Sequence, residues 1–507
     1  MSEGSLAAAP GAAEGVPGGQ LGERKLTTIH AIGQSLAIGP IFSGAVLTAL
    51  VASVAGYNTP LSVLLGGLGA LALAYVVSVF ARRFSGAGAI YEYLTRGASP
   101  DLGVFAAGLY GLGLLFLGGG GVFIAIGFLA EGFFAAHLDA IALDWWVWGL
   151  LGLALAVGFN HFGVRLAIRG VLALAILSAI PLAFLALAII VQGGVDGNTL
   201  APFDPGETSW TATFNGILFA VTLFIGFEAA ASIGEETAEP RRSIPRAVVG
   251  TVAISAAFYL LLTYAATIGF GAAAAGQERW GGPSPMGDLA TEYVGSGLAT
   301  VIDLVIVLDA ISVAIAFVVA ASRVFFALGR DRLLPRPMAV VSRHNTPLGG
   351  NAVILAAGIA AILYAGLADY GEATEITAFG ISAAAGSYLV EAIYVLLALV
   401  AFRLVLGGDR AGLWWKLPTL LAALATPILA FYGSFKDFPP YPADRGVYFA
   451  LVAVGIAALW WAYLRVRHPD RIRRAAAYAE AHHDVPPLDE TLDYRPGSGE
   501  PVVGPAR

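Results

Sequence analysis

Residues 35–44 read SLAIGPIFSG and lie within an apolar stretch that is long enough to cross a bilayer. Gly39 and Pro40 stand in the middle of it. Proline has no backbone N–H and its ring crowds the carbonyl one turn earlier, so the pair breaks the helix and frees carbonyls near Leu36 and Ala37. In hydrocarbon, such a break is tolerated only where protein or a water-filled cavity satisfies the backbone. The stretch therefore indicates either a packing kink or a binding site.

The composition places the rest of the chain in a membrane as well. Of its 507 residues, 58% are hydrophobic and only 12% are charged, which is too apolar for a soluble domain of this size. This predicts an all-α polytopic membrane protein with about 12 transmembrane helices. The predicted spans, numbered 1 to 12 below, lie near residues 28–54, 61–81, 101–130, 146–160, 170–192, 212–234, 247–272, 298–322, 350–367, 376–402, 413–434 and 446–464.

The distribution of basic residues predicts the orientation. Of the 28 Lys and Arg residues, all but Arg279, Lys436 and Arg445 fall in the two tails and in the even-numbered loops. Because basic residues in short loops favour the cytoplasm, both termini are expected there. We expect residues 1–25 and 466–507 to be disordered cytoplasmic tails.

A second break lies in the sixth span, where residues 219–230 read FAVTLFIGFEAA with Gly226 interrupting the run. Breaks in the first helix of each of two five-helix halves are typical of inverted-repeat transporters, whose site lies near the bilayer midplane. The predicted halves are residues 26–192 and 212–402, and helices 11 and 12 follow in residues 413–464.

Three blocks carry a resemblance to a known family. GFEAAASIGEETAEPRRSIPRAVVG (226–250), SGAGAIYEYLTRGASPDLGVFAAG (85–108) and ASRVFFALGRDRLLPRPMAVVSRHNTP (321–347) resemble segments of the amino acid-polyamine-organocation permeases. The resemblance covers about residues 26–465. It implies a secondary transporter with the leucine-transporter fold, built from two inverted five-helix repeats and two further helices.

The resemblance also implies a substrate site between the two breaks. An amine would meet carbonyls near Leu36 and at Thr222 and Ile225, and a carboxylate would meet amides around Gly39 and Ile41, as helix-end dipoles favour. The full set of predicted substrate contacts is Leu36, Ala37, Ile38, Gly39, Ile41, Thr222, Phe224, Ile225 and Phe317.

The first break departs from the family pattern, which has Gly-x-Gly before Ile-Phe. Pro40 stands at the second glycine position, so one amide donor for a carboxylate is missing. An amine, a polyamine or another small organic solute therefore remains an alternative to an amino acid. No basic residue lies at membrane depth to hold a side-chain carboxylate, which favours neutral or apolar amino acids over acidic ones.

Acidic residues inside the spans are costly, by roughly 2.5–3.5 kcal/mol or more each, and so tend to have a task. Asp309 lies about 21 Å along its helix from Arg323. Glu391 lies about 18 Å from Arg403. We predict ion coupling through the deep acids Glu228, Asp309 and Glu391, with structural hydrogen bonding as the alternative. Asp303 is nearer the surface.

Two coupling ions remain open. Protons would use Glu228 or Asp309, whereas sodium would need oxygen ligands near Ala37, Ser178 and Ser312. Protons are favoured because the buried acids need an explanation and the sodium ligands are sparse.

Other classes of protein fit less well. The chain has no cysteine, and none of its seven histidines forms a pair with ligand spacing inside the bilayer, so we expect no enzyme, metal site or cofactor. A scaffold would want a folded soluble domain, and a channel usually pairs a filter with oligomeric symmetry. The prediction is a secondary active transporter of the cytoplasmic membrane, with a small-molecule substrate, a co-transported proton or sodium and the lipid bilayer as partners. Nothing points to nucleic acid.

Overall fold

The computed structural model describes residue 21 and residues 25–38, 43–84, 86, 88–138, 141–195, 197–280, 284–371, 373–407, 412–436, 438–473 and 475. Gly39, Pro40 and Ile41, which the sequence places at the first break, lie outside the described residues.

The regular elements of the described chain are helices. Spans 1 to 6 contain Thr28–Leu36 with Ser43–Leu47 and Thr48–Ala55, Thr59–Ala81, Pro100–Leu114 with Leu115–Gly121 and Val122–His137, Trp145–His161, Val164–Gln192, and Trp210–Thr222 with Phe227–Glu236. Spans 7 to 12 contain Pro240–Phe270, Ser296–Arg330, Leu348–Leu367, Thr374–Leu406, Leu413–Lys436 and Asp444–Arg467. Shorter helices Ile90–Gly97, Ala274–Trp280 and Pro285–Tyr293 lie between spans.

Ten helical segments of the described chain are long and apolar enough to cross a membrane, compared with the twelve predicted spans. The difference has two sources. The second part of span 1 runs on into span 2 as one segment, Ser43–Ala81, and Trp145–His161 has only 17 residues. The multi-pass helical architecture is as predicted, but the count of twelve is not confirmed.

Local chemistry explains where the long helices begin. Ser99 accepts a hydrogen bond from the Leu102 amide at 3.2 Å, and Pro100 follows it as the first helical residue. Ser209 accepts one from the Ala212 amide at 3.0 Å. These side chains satisfy amides that have no partner within the first turn of the helix.

Span 8 forms the centre of the bundle. It is a helix of 35 residues, and 83% of its most apolar stretch is buried. The corresponding fraction is only 22% for span 11, whose large apolar side chains face outward. A membrane helix that is buried in this way contacts protein rather than lipid, so side chains on span 8 are placed to serve a site between helices.

Candidate functional site

The last described residue before the first predicted break contacts the second break. Gly226 has a φ of +107°, a conformation that favours glycine. A Cβ atom added to Gly226 would lie only 2.1 Å from Cγ2 of Ile38, the last described residue before the break in span 1. The absence of a side chain at Gly226 therefore allows the two interrupted helices to touch.

A serine links the same two helices one turn closer to the N-terminus. The Ser35 hydroxyl donates to the Phe227 carbonyl at 2.7 Å and accepts from the Ala230 amide at 2.9 Å. Both are backbone groups that follow the break in span 6. Ser35 thus satisfies polar backbone that an unbroken helix would have paired internally.

A cavity of about 210 Å³ adjoins the contact between the breaks. It is lined by spans 1, 3, 6, 8, 10 and 11, and most of its walls are apolar. Glu391 is its one charged lining residue within the part of the chain that the structure describes. The lining residues are Ile38, Ser43, Leu47, Leu50, Leu117, Val122, Phe219, Thr222, Ile225, Val313, Phe317, Phe379, Gly380, Ala383, Ala384, Ser387, Tyr388, Glu391 and Ser434.

Some of the predicted site residues line this cavity and others do not. Ile38, Thr222, Ile225 and Phe317 line it, as does Glu391. The remaining described candidates, which are not part of the lining, are Leu36, Ala37, Phe224, Glu228, Asp309, Ser178 and Ser312.

Two of the predicted contact residues also have partners within the protein. The Thr222 carbonyl accepts a hydrogen bond from the Ile225 amide at 3.2 Å, because the chain makes a tight turn at the break. The Phe224 ring packs edge-on against Tyr259 with ring centroids 5.1 Å apart.

The glycine run of span 3 lets span 8 approach closely. Leu115–Gly121 is a π-helical turn, and a Cβ atom on Gly118 would lie 2.0 Å from Cγ of Phe317. The wider turn also leaves the Phe116 carbonyl to accept a hydrogen bond from Ser382 of span 10 at 2.7 Å. The run therefore positions Phe317 against the cavity.

Glu228 is held by three donors. Its carboxylate oxygens accept hydrogen bonds from the Tyr394 hydroxyl at 2.7 Å, the Gly226 amide at 3.1 Å and the Tyr110 hydroxyl at 3.5 Å. The side chain is 1% exposed. It therefore joins the break in span 6 to spans 3 and 10, and it lies beside the cavity rather than in its wall.

Ser178 and Ser312 lie at different depths. Ser178 donates to the Val305 carbonyl at 3.2 Å, and Ser312 donates to the Val171 carbonyl at 3.2 Å. Both hydrogen bonds join span 5 to span 8. Along each helix their positions are seven residues apart, which corresponds to about 10 Å. The structure does not bring these two hydroxyls to one point.

A family model described as amino acid permease matches residues 28–480. The chain belongs to the amino acid permease family. This confirms the resemblance found in the sequence, and it makes the chain a multi-pass membrane transporter.

Relatives of this permease include proteins that are named for different substrates. It is 24% identical over 468 residues to the branched-chain amino acid permease BcaP of Lactococcus lactis subsp. cremoris, a match that covers 85% of this chain and 92% of BcaP. It is 27% identical over 189 residues to the low-affinity putrescine importer PlaP of Escherichia coli, a match that covers 36% of this chain and 40% of PlaP.

Solved structures show the fold. The crystal structure of MhsT in complex with L-phenylalanine has a TM-score of 0.53 at 17% identity, and the match covers 82% of this chain and all of that chain. The crystal structure of a mutant manganese transporter of Eremococcus coleocola has a TM-score of 0.55 at 12% identity, with 89% and 95% covered. The permease therefore has the leucine-transporter fold, as predicted.

A charged network ties the end of span 6 of the permease to the end of span 8. Arg323 and Glu236, 0% and 1% exposed, form an ion pair in which Nε lies 2.6 Å from Oε2. Asn160 accepts from Arg323 at 3.3 Å. The segment before span 1 joins them, because the Leu26 amide donates to the Glu236 carbonyl at 2.9 Å. We call Arg323, Glu236, Asn160 and Leu26 the terminal network.

An acidic cluster lies next to this network, outside the spans. Burial raises the pKa of Asp331 to a net value of about 7, with a contribution from the neighbouring Glu92 and Glu235 and against the opposing effects of Arg330 and the hydrogen bond from Tyr91. The Tyr91 hydroxyl donates to Asp331 at 2.9 Å. Asp331 thus has a folded-state pKa above its usual 3.8.

We expect Asp331→Asn to raise the melting temperature of the purified permease at pH 8 but not at pH 4. A raised folded-state pKa means that the stabilising effect of the protonated form is lost as the pH rises from 3.8 to about 7. Asparagine retains an acceptor for Tyr91 and never ionises. Melting curves in detergent at several pH values check this, with the exposed Asp369→Asn as the control. Equal shifts at both pH values would contradict it.

Proposed function

We propose that this permease carries amino acids across the cell membrane by alternating access, coupled to protons, with both termini in the cytoplasm. The observation that carries the proposal is the contact of Ile38 with Gly226 beside an apolar cavity. The ends of two interrupted helices carry opposite partial charges. These charges match the amine and the carboxylate of a zwitterionic amino acid. A cavity of this position and lining suits a small solute.

The walls support amino acids with neutral or apolar side chains. Leu47, Leu117 and Phe379 offer apolar surface, and no Lys or Arg lines the cavity within the described chain. An aspartate or glutamate side chain would be buried there without a cationic partner, which is unfavourable. The branched-chain amino acid permease BcaP, a relative over most of the chain, is consistent with this choice.

Alternating access is supported by the terminal network. Arg323 on span 8 and Glu236 on span 6 hold the two helices together at the end of the bundle from which the chain starts. A path from the cavity to that side of the membrane would open only if such contacts separated, since carriers expose their site to one side at a time.

Protons are supported over sodium by the arrangement of oxygen atoms. The hydroxyls of Ser178 and Ser312 each donate to a carbonyl and lie at different depths, so together they do not form one ion site. The buried carboxyl groups Glu228 and Asp309 are the groups that could carry a proton through the bundle.

Flux into proteoliposomes tests the function. We expect uptake of labelled leucine to be driven by an imposed pH gradient in sodium-free buffer and to fall about tenfold or more in Asp309→Asn or Glu228→Gln, because a neutral amide cannot exchange a proton. The variant Asp303→Asn is a control on the same span as Asp309. Asp303 is partly exposed and contacts Ser284 at 2.7 Å.

Two results would contradict the proposal. Uptake driven by a sodium gradient without a pH gradient would overturn proton coupling. If no amino acid were taken up or exchanged by protein that melts cooperatively, the proposed substrate class would be overturned. Uptake of putrescine alone would then favour an amine transporter, the class of the relative PlaP.

A further inference from the structure

One carboxyl group of the cavity has no role in the function proposed above. Span 10 lines the cavity with residues at helical spacing, from Gly380 through Ala384 and Ser387 to Glu391. These positions extend over about 16 Å of helix. Glu391 stands at the deep end, one turn before Tyr394, which contacts Glu228 beside the break in span 6.

The Glu391 carboxyl is buried and lacks a partner. The residue is 2% exposed, and its carboxyl makes no hydrogen bond or ion pair with any residue of the described ranges. By contrast, Glu228 has three donors at a similar depth. A carboxyl group that is buried at the wall of a cavity and has no protein partner is arranged to meet a group that enters the cavity.

Three residues with hydroxyl groups also line the cavity. They are Ser387 and Tyr388, within about one turn of Glu391 on span 10, and Ser434 on span 11. The Tyr388 ring stacks on Phe435 of span 11 with centroids 5.4 Å apart. This contact holds span 11, which carries Ser434, against the part of span 10 that carries Glu391.

The chemistry of this set favours an ammonium group over a metal ion. A primary ammonium has three N–H donors and pairs well with one carboxylate and neighbouring hydroxyls. Sodium or another hard cation would want more oxygen ligands than one carboxyl provides. The walls leading from Glu391 towards Gly380 are apolar, including Leu117 and Phe379, and fit the methylene chain that carries an alkyl ammonium.

We propose that Glu391, Ser387, Tyr388 and Ser434 form a subsite for an ammonium group at the end of an alkyl chain. The inference rests on the proposed function in taking this cavity as the substrate site. It adds a substrate class to it: diamines, and amino acids whose side chain ends in an amine.

Ligand binding to the purified full-length permease tests the subsite without requiring transport. Lysine and norleucine differ by one ammonium group, so their relative affinity reports on it. We expect the lysine-to-norleucine affinity ratio to fall about tenfold in Glu391→Gln, with norleucine binding changed less than about twofold. Putrescine is expected to lose affinity by a similar factor. Glu375→Gln, at the outer end of the same span and outside the cavity lining, is the control.

The outcomes separate this inference from the proposed function. The subsite would be overturned if lysine and putrescine bound the wild type no better than a non-ligand. It would also be overturned if Glu391→Gln weakened lysine and norleucine binding equally. Stabilisation by sodium chloride that Glu391→Gln abolishes would also overturn it. If Glu391→Gln does not fold, two other variants take its place. Glu391→Asp keeps the carboxyl group and must preserve the lysine-to-norleucine affinity ratio, whereas Glu391→Ala must lower it. Binding as expected without any flux would instead overturn the transport function and leave the subsite standing.

Discussion

Gly226→Ala is expected to reduce transport severely while the protein is still inserted in the membrane. Alanine at a φ of +107° carries backbone strain of about 1–3 kcal/mol. Its Cβ atom would also lie 2.1 Å from Cγ2 of Ile38, so the two interrupted helices would have to separate. Since both helices line the cavity, we expect initial uptake of leucine to fall by about a hundredfold, as small misplacements in a site often cause.

Gly250→Ala is the matched control. Gly250 is a helical residue of span 7 whose added Cβ atom would meet nothing within 4 Å, so uptake should stay near that of the wild type. The double variant Ile38→Ala with Gly226→Ala should recover only part of the activity, because the methyl group is removed but the Ile38 Cβ at 2.8 Å and the backbone strain remain. Wild-type uptake in Gly226→Ala would show that the contact between the breaks has no part in transport.

Glu236→Ala is expected to cause the largest loss of stability. Arg323 is fully buried, and its guanidinium would lose both the 2.6 Å contact from Nε and the 3.3 Å contact from Nη2. Breaking a buried ion pair by removing one partner typically costs about 3–5 kcal/mol, because the remaining charge is uncompensated. We expect a lower melting temperature in detergent and a smaller yield of folded protein, measured by size-exclusion chromatography and thermal unfolding.

Two further variants separate the buried charge from other effects. Glu239→Ala removes an acid whose ion pair with Arg242 is largely exposed, so its melting temperature should change little. The double variant Glu236→Leu with Arg323→Met removes both charges and should recover much of the loss. A Glu236→Ala protein as stable as Glu239→Ala would contradict the assigned role of the pair.

The helix breaks are accessible to sequence reasoning because glycine and proline act on their own backbone. Gly226 is recognisable in the sequence because it interrupts an apolar run. Its positive φ is a conformation that glycine adopts without strain. The blocks around residues 226–250 and 321–347 also identify the family. They do not reveal why Glu236 and Arg323 stand in them, because the ion pair joins positions 87 residues apart.

The cavity wall is harder to predict. Thr222, Ile225 and Phe317 follow from the resemblance to the family, but nothing in the sequence singles out Ser387 and Tyr388 of span 10 or Ser434 of span 11. The spacing of the lining residues Ala384, Ser387, Tyr388 and Glu391, at i, i+3, i+4 and i+7, is visible in the sequence. Polar side chains on a membrane helix also serve contacts between helices, so the spacing alone does not assign this face to a cavity.

Apolar composition and backbone chemistry are properties of the residues themselves, so the amino-acid sequence is enough to show that the chain spans a membrane and to predict where two of its helices break. What the buried acids contact became clear only from the folded arrangement. Glu228 and Glu391 look alike in sequence, each a lone acid in an apolar run. The fold gives Glu228 the hydroxyls of Tyr110 and Tyr394, from spans 3 and 10, and leaves Glu391 facing a cavity. The environment of a buried charge is set by residues far away in the chain, and that environment decides whether the charge supports the fold or meets a ligand.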